Sequence, residues 1–177
     1  MRIKTSTTYG KNKMRQTFKL AVAALLSLYL TACSSVSELQ PAGGETFPPS
    51  YSVTAVTVED KTGKFHDLED GADVEALMHD AMQEALLEAG KVGESSAELT
   101  YQIYIIQYQK GSALARWMMP GMGKTILSVE GLVKDSSGTV LATTQATESI
   151  GAGGGYTAGA WKYIFGNVAE KLVNDLP

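Results

Sequence analysis

Apolar positions recur with a period of two over Tyr51–Glu59 (YSVTAVTVE), with Val56 and Val58 on one side and Val53 and Ala55 on the other, which predicts a strand. Asp60–Gly71 is polar and acidic and reads as a loop. The spacing then changes. Over Ala72–Ala89, Val74, Leu77, Met78, Ala81, Met82, Ala85 and Ala89 fall on one stripe, predicting a helix that Gly90 stops. Ala97–Gln109 alternates again: Leu99, Tyr101, Ile103 and Ile105 share one face, and Tyr104, Ile106 and Tyr108 the other. Apolar groups on both faces predict a central strand or a covered second face. Thr125–Lys134 and Thr139–Ser149 read as two strands joined by the turn Asp135–Gly138. After a glycine-rich link over Ile150–Tyr156, Ala158–Leu176 places Trp161, Ile164, Phe165, Val168, Leu172, Val173 and Leu176 on one helical face.

The predicted order is β-α-β-β-β-α, an α+β two-layer sandwich with a sheet of roughly four strands and two helices on one face. Residues 51–177 form this single domain. Ser34–Ser50 is rich in Ser, Gly and Pro without apolar periodicity and is expected to be a flexible tether. Fully extended, it would reach about 55–60 Å.

Charge divides the chain unevenly. Residues 1–19 hold six Lys and Arg and no acidic residue, whereas the part after Cys33 holds nine against nineteen Asp and Glu, a net −10. A basic head on an acidic body points to a targeting segment, and the acidic body argues against nucleic acid as a partner. Leu20–Leu30 is almost wholly apolar. As a helix it would rise about 16 Å, about half of a hydrocarbon core roughly 30 Å thick. It therefore reads as the apolar region of a signal peptide over residues 1–32. A start at Met14 would give a signal of more usual length.

Leu30-Thr31-Ala32-Cys33 resembles the lipobox of bacterial lipoproteins. The resemblance implies a diacylglycerol on the Cys33 thiol, cleavage between Ala32 and Cys33, and an N-acyl chain on the new amine. Cys33 is also the chain's one cysteine, so no internal disulfide can form. Ser34, rather than Asp, after the cysteine implies by the same resemblance the periplasmic face of the outer membrane, with a lipid anchor as the membrane contact.

Motifs for chemistry are incomplete. Gly121-Met122-Gly123-Lys124-Thr125 lacks the first glycine of a phosphate loop, since Met118 stands there, and a strand rather than a helix follows. Tyr156 takes the place of the third glycine after Gly151 and Gly153, so the dinucleotide fingerprint also fails. No nucleotide is expected. Neither is a metal: His66 lies in the acidic loop, and His79 sits one turn from Glu75 on the polar side of its helix. The serines have no histidine nearby in sequence and no nucleophile elbow, so no enzyme activity and no cofactor beyond the acyl chains are expected.

The loop over residues 111–124 is the unusual stretch, carrying Arg116, Trp117, Met118, Met119 and Met122 between two strands. One reading folds it back over the sheet as core. The other exposes Arg116, Trp117, Met118 and Met119, with the face of Tyr104, Ile106 and Tyr108, to a protein partner of the cell envelope. From Tyr51 onward the chain is similar to a family of uncharacterised bacterial lipoproteins. The similarity rests on Gly111, Ser112, Arg116, Gly121 and Gly123 in this loop, on Asp135 and Gly138, and on glycines before a last helix. That family has no established activity, so it implies fold and location only. The expected function is a membrane-anchored, non-enzymatic binding or assembly module. The alternative is an auxiliary of lipid or solute transport that holds an apolar ligand.

Overall fold

The structure, a computed structural model, describes residues 36–66, 68, 71–118, 123–151 and 160–177. Five strands, β1 (Val36–Pro41), β2 (Ser52–Asp60), β3 (Glu98–Gln109), β4 (Thr125–Asp135) and β5 (Val140–Ile150), form one sheet in the order β1-β5-β4-β3-β2. Helix α1 (Val74–Glu88) connects β2 to β3, which run parallel. The other neighbouring strands are antiparallel. A short helix, α2 (Ala113–Met118), follows β3, and α3 (Tyr163–Asn174) closes the fold after the 3-10 turn Ala160–Lys162.

The element order predicted from Tyr51 onward is present, with two differences. First, the sheet has five strands rather than roughly four, and the fifth, β1, comes from within the stretch expected to be tether. It pairs with β5 from Val36↔Thr147 to Pro41↔Ala142. In VSELQP only Leu39 offers an apolar side chain toward the core, so a six-residue edge strand leaves almost no periodic signal. Backbone pairing with β5 docks it, and the Ser37 hydroxyl adds a bond to the Asp175 carboxylate at the end of α3. Second, α2 interrupts the stretch read as a loop.

Local chemistry sets the ends of α1. The Asp73 carboxylate accepts from the Glu75 N–H at 2.9 Å and caps the start. At the other end Gly90, at φ 65°, donates to the Leu87 carbonyl and Lys91 donates to that of Leu86, the paired bonds of a Schellman stop. The expected turn after β4 forms as well, with Asp135 Oδ1 accepting from the N–H groups of Ser137 and Thr139. The Ser137 hydroxyl and these N–H groups hold the Asp135 carboxyl below its ordinary range.

Helices α1 and α3 pack against each other, α1 over β2 and α3 over β4 and β5. The core between these layers takes Met78, Met82 and Leu86 from α1. It takes Ile164, Phe165, Val168, Leu172 and Val173 from α3, and Leu99, Tyr101, Ile103 and Ile105 from β3. Gly131 lies within β4 opposite Ile103 and Thr144. The Tyr101 ring crosses onto that glycine, and its hydroxyl meets Thr144 Oγ1 at 2.8 Å. Burial holds the phenol well above its ordinary pKa, so it stays neutral at physiological pH.

Among the described residues, Glu148 is the buried charged side chain. Glu148 of β5, with a side chain 7% exposed, pairs with Lys171 of α3, which is 27% exposed. Removing one partner of such a pair leaves the other charge poorly solvated, which costs about 3–5 kcal/mol when both are fully buried. Water reaches Lys171, so Lys171→Met is expected to lose about 2–3 kcal/mol at neutral pH. Urea unfolding followed by circular dichroism would check this, and the double variant Lys171→Met with Glu148→Gln should recover part of the loss.

Candidate interaction surface

The residues around α2 form a loop whose base is tied. Gly111 donates its N–H to Thr125 Oγ1 at 3.1 Å, and Ser112 donates to the Gly123 carbonyl at 3.1 Å. Ser112 Oγ in turn accepts from the Ala115 N–H at 3.2 Å, which caps α2. Gly123 takes φ 68°, a conformation that disfavours a side chain. So Gly111, Ser112 and Gly123, three of the five loop residues singled out in the sequence, hold the ends of this segment together.

Leu114 is 64% and Met118 62% exposed on α2. Met118 is therefore not core, and the fold-back reading fails for that residue. Arg116 and Trp117 lie on α2, but their side chains are outside what the structure describes, as is the whole of Met119. Ala32 and Cys33 also fall outside the described residues.

The sheet face expected to join this surface divides in two. A bulge between Ile105 and Gln107 shifts the register of β3 against β4. An extra residue reverses the alternation beyond it, so Tyr108 turns onto the helix-covered face opposite Leu127 and is 6% exposed. Its ring lies 5.5 Å from that of Phe165, and burial pushes its pKa up to about 12. Tyr104 and Ile106 remain on the face without helices, Ile106 37% exposed. Among the described residues, the exposed large apolar side chains of β3 and α2 are thus Ile106, Leu114 and Met118.

A polar cluster near the start of α1 gave no sequence signal. His66, expected in a solvated loop, is 11% exposed, with its ring edge-on to Tyr108 at 5.1 Å. Its Nε2 lies 3.1 Å from Asp60 Oδ2 and 2.8 Å from Thr62 Oγ1. A hydroxyl, a histidine and a carboxylate invite comparison with a nucleophilic triad. In a triad, however, the base bridges its partners through two different ring nitrogens, and here both contacts converge on one. The geometry is that of a folded loop. Thr62 N–H also donates to Asp60 Oδ1 at 2.8 Å. Glu75 accepts from the Asp60 N–H at 2.6 Å, so it faces the end of β2 rather than His79. Among the described residues no group of three or more His, Cys, Asp or Glu could hold a metal, and no helix is long and apolar enough to cross a membrane.

Comparison with known proteins adds family and fold. Residues 50–154 match the family described as a domain of unknown function (DUF4410). No curated protein matches the sequence. Among solved structures, a PelC dodecamer from Paraburkholderia phytofirmans is similar with a TM-score of 0.53 and 11% identity, covering 80% of this chain and 98% of that one. A point variant of that dodecamer gives 0.53 and 12%, over 78% and 98%. A Xanthomonas campestris protein of the DUF330 family gives 0.51 and 13%, over 75% and 90%. At these identities what is shared is the fold.

Proposed function

We propose, on the premise that this chain belongs to the DUF4410 family of domains of unknown function, that it works as a non-enzymatic binding module of the bacterial cell envelope. Acyl chains on Cys33 hold it to a membrane, at the periplasmic face of the outer one. The lipobox-like Leu30–Cys33 and Ser34 support the anchor and its destination. The binding role rests on the exposed side chains of Ile106 on β3 and of Leu114 and Met118 on α2, the latter two carried by a segment whose base is hydrogen-bonded shut. Large apolar side chains left in water cost solubility until a partner covers them. Methionine and leucine suit an adaptable protein contact. PelC, with the same fold, is a dodecamer, which supports assembly as one use of such a surface.

The test uses a photo-crosslinking residue in place of Leu114 or Met118 in living cells. A discrete heavier adduct is expected from both positions. Leu114→Ser with Met118→Ser should remove the partner while changing stability by no more than about 0.5 kcal/mol, as exposed positions do. A chain that yields no adduct from either position would leave the binding role without a basis.

A further inference from the structure

The second edge of the sheet carries a separate message, one that goes beyond the reading above and holds whether or not the α2 segment binds anything. Strand β2 is an edge, with β3 on one side and, among the described residues, no strand on the other. In a parallel ladder, residues alternate in which side their N–H and C=O groups serve. Lys61 N–H donates to the Ile105 carbonyl at 2.9 Å, so Lys61 serves β3. Asp60 N–H points away and is taken by the Glu75 carboxylate. Counting back, Val58 and Val56 also point outward. Beyond the irregularity between Val53 and Ala55, the Val53 N–H is taken by the Lys91 carbonyl at 2.8 Å. Both ends of the edge are therefore closed by partners from this chain, and between them the outward groups of Val56 and Val58 meet no strand among the described residues.

The surface beside these two residues is apolar. A depression of about 300 Å³ is lined by Ala55, Val56, Gln83, Leu86, Leu87 and Val92, together with Val53 and Thr54. Leu87 is 66% exposed and Val92 38%. None of the lining residues is charged. That is unusual for a chain with a net −10 after Cys33. The depression between α1 and α3, by contrast, is lined by Asp80, Glu84, Glu88 and Glu170. A cationic partner would be drawn to that acidic side. A second acidic copy can approach most easily where charge is lacking.

We propose that two copies of this chain pair through β2, antiparallel about a two-fold axis at Thr57. In that register Val56 of one copy faces Val58 of the other, and each pair exchanges N–H···O=C bonds through the outward groups. The open edge is complementary to itself, because its two free residues flank one central position. The pairing puts Leu87 and Val92 of both copies beside the seam, sets no like charges directly opposite, and removes a sheet edge that would otherwise invite unspecific pairing.

The register makes a sharp prediction about distances. Thr57 faces its counterpart in a non-hydrogen-bonded position, with Cα atoms about 4.5 Å apart, within the reach of a disulfide. Glu59 faces Ala55 of the second copy, so the two Glu59 residues are offset by about 14 Å along the strands at roughly 3.4 Å per residue. The experiment uses the purified full-length chain with Cys33→Ser, so that the introduced thiol is the only one, and copper phenanthroline as oxidant. Thr57→Cys should run mainly as a species of twice the mass on a non-reducing gel, and Glu59→Cys should remain at least tenfold less linked. Adding Leu87→Glu to Thr57→Cys should cut the linked fraction about tenfold. Val58→Pro removes an outward N–H without touching a bond to β3 and should do the same, with circular dichroism confirming that either chain is folded. A Thr57→Cys chain that stays monomeric, or a Glu59→Cys chain that links equally well, overturns the pairing. Because Cys33 is absent throughout, neither result depends on the anchor.

Discussion

Gly131→Val is expected to destabilise the domain by about 3–5 kcal/mol, the sum of an overpacking cost and a lost buried hydrogen bond. A Cβ built on Gly131 falls 2.4 Å from Thr144 Oγ1 and 2.6 Å from Tyr101 Cε2. Neither neighbour is the free end of a flexible chain. The Tyr101 ring is fully buried, and the Thr144 hydroxyl is fixed by its bond to the phenol. Moving the ring aside would break that bond in the core and displace it into a close-packed layer. Glycine weakens a strand unless something covers it, and an aromatic ring from the neighbouring strand is a known remedy. Here the remedy and the glycine require each other. At about 2–4 °C per kcal/mol for a domain of this size, Tm should fall by roughly 10–15 °C, read by thermal circular dichroism. Gly131→Ala should fall between the unaltered chain and the valine variant. A change of only a degree or two in the valine variant would mean that the ring is not held where it lies.

Cys33→Ser is expected to abolish labelling by radioactive palmitate in cells and to move the chain out of the membrane fraction. Lipidation needs the thiol as nucleophile, and the chain has no other cysteine to take its place. One acyl chain gives marginal, reversible binding, whereas two or three give a lasting hold. Loss of the attachment site should thus act as an all-or-none change rather than a graded one. The domain should still fold, because its core is built from residues beyond Tyr51, with Leu39 and Phe47 packed against it. Unchanged thermal unfolding of the unlipidated chain would check that half of the expectation. A Cys33→Ser chain that is still labelled would refute the anchor.

Long amphipathic elements are legible in the residues themselves. All seven residues of the stripe predicted for α3 are buried. On α1 the predicted stripe is matched in part: Val74, Met78 and Met82 are buried, Leu77, Ala81 and Ala85 are half-buried, Ala89 is exposed, and Leu86, one turn after Met82, is buried instead. Features held by one contact rather than by a repeat are not legible. Strand β1 has a single inward apolar side chain. The inversion of Tyr108 depends on one inserted residue in β3, and a strict alternation of two has no way to announce it. In sequence His66 is only a member of an acidic loop, yet its partners are Asp60, Thr62 and the ring of Tyr108.

The candidate surface divides along the same line. That the 111–124 segment is unusual can be read from its Trp and Met content, and the glycines and serine that hold it stand out in the same stretch. Which of its side chains meet water, and that Tyr104 and Ile106 part company with Tyr108, required the folded chain. The free edge of β2 was invisible, since a strand's sequence does not say whether it has one neighbour or two.

By itself the sequence determined the α+β class, the order of the elements after Tyr51 and the buried stripe of α3, because each rests on many side chains repeating at one period. Tertiary structure alone decided the fifth strand, the order of strands in the sheet, the inward turn of Tyr108 and the mutual fit of Gly131 with Tyr101. Those depend on single contacts between residues far apart in the chain, whose energy exists only once the layers have met.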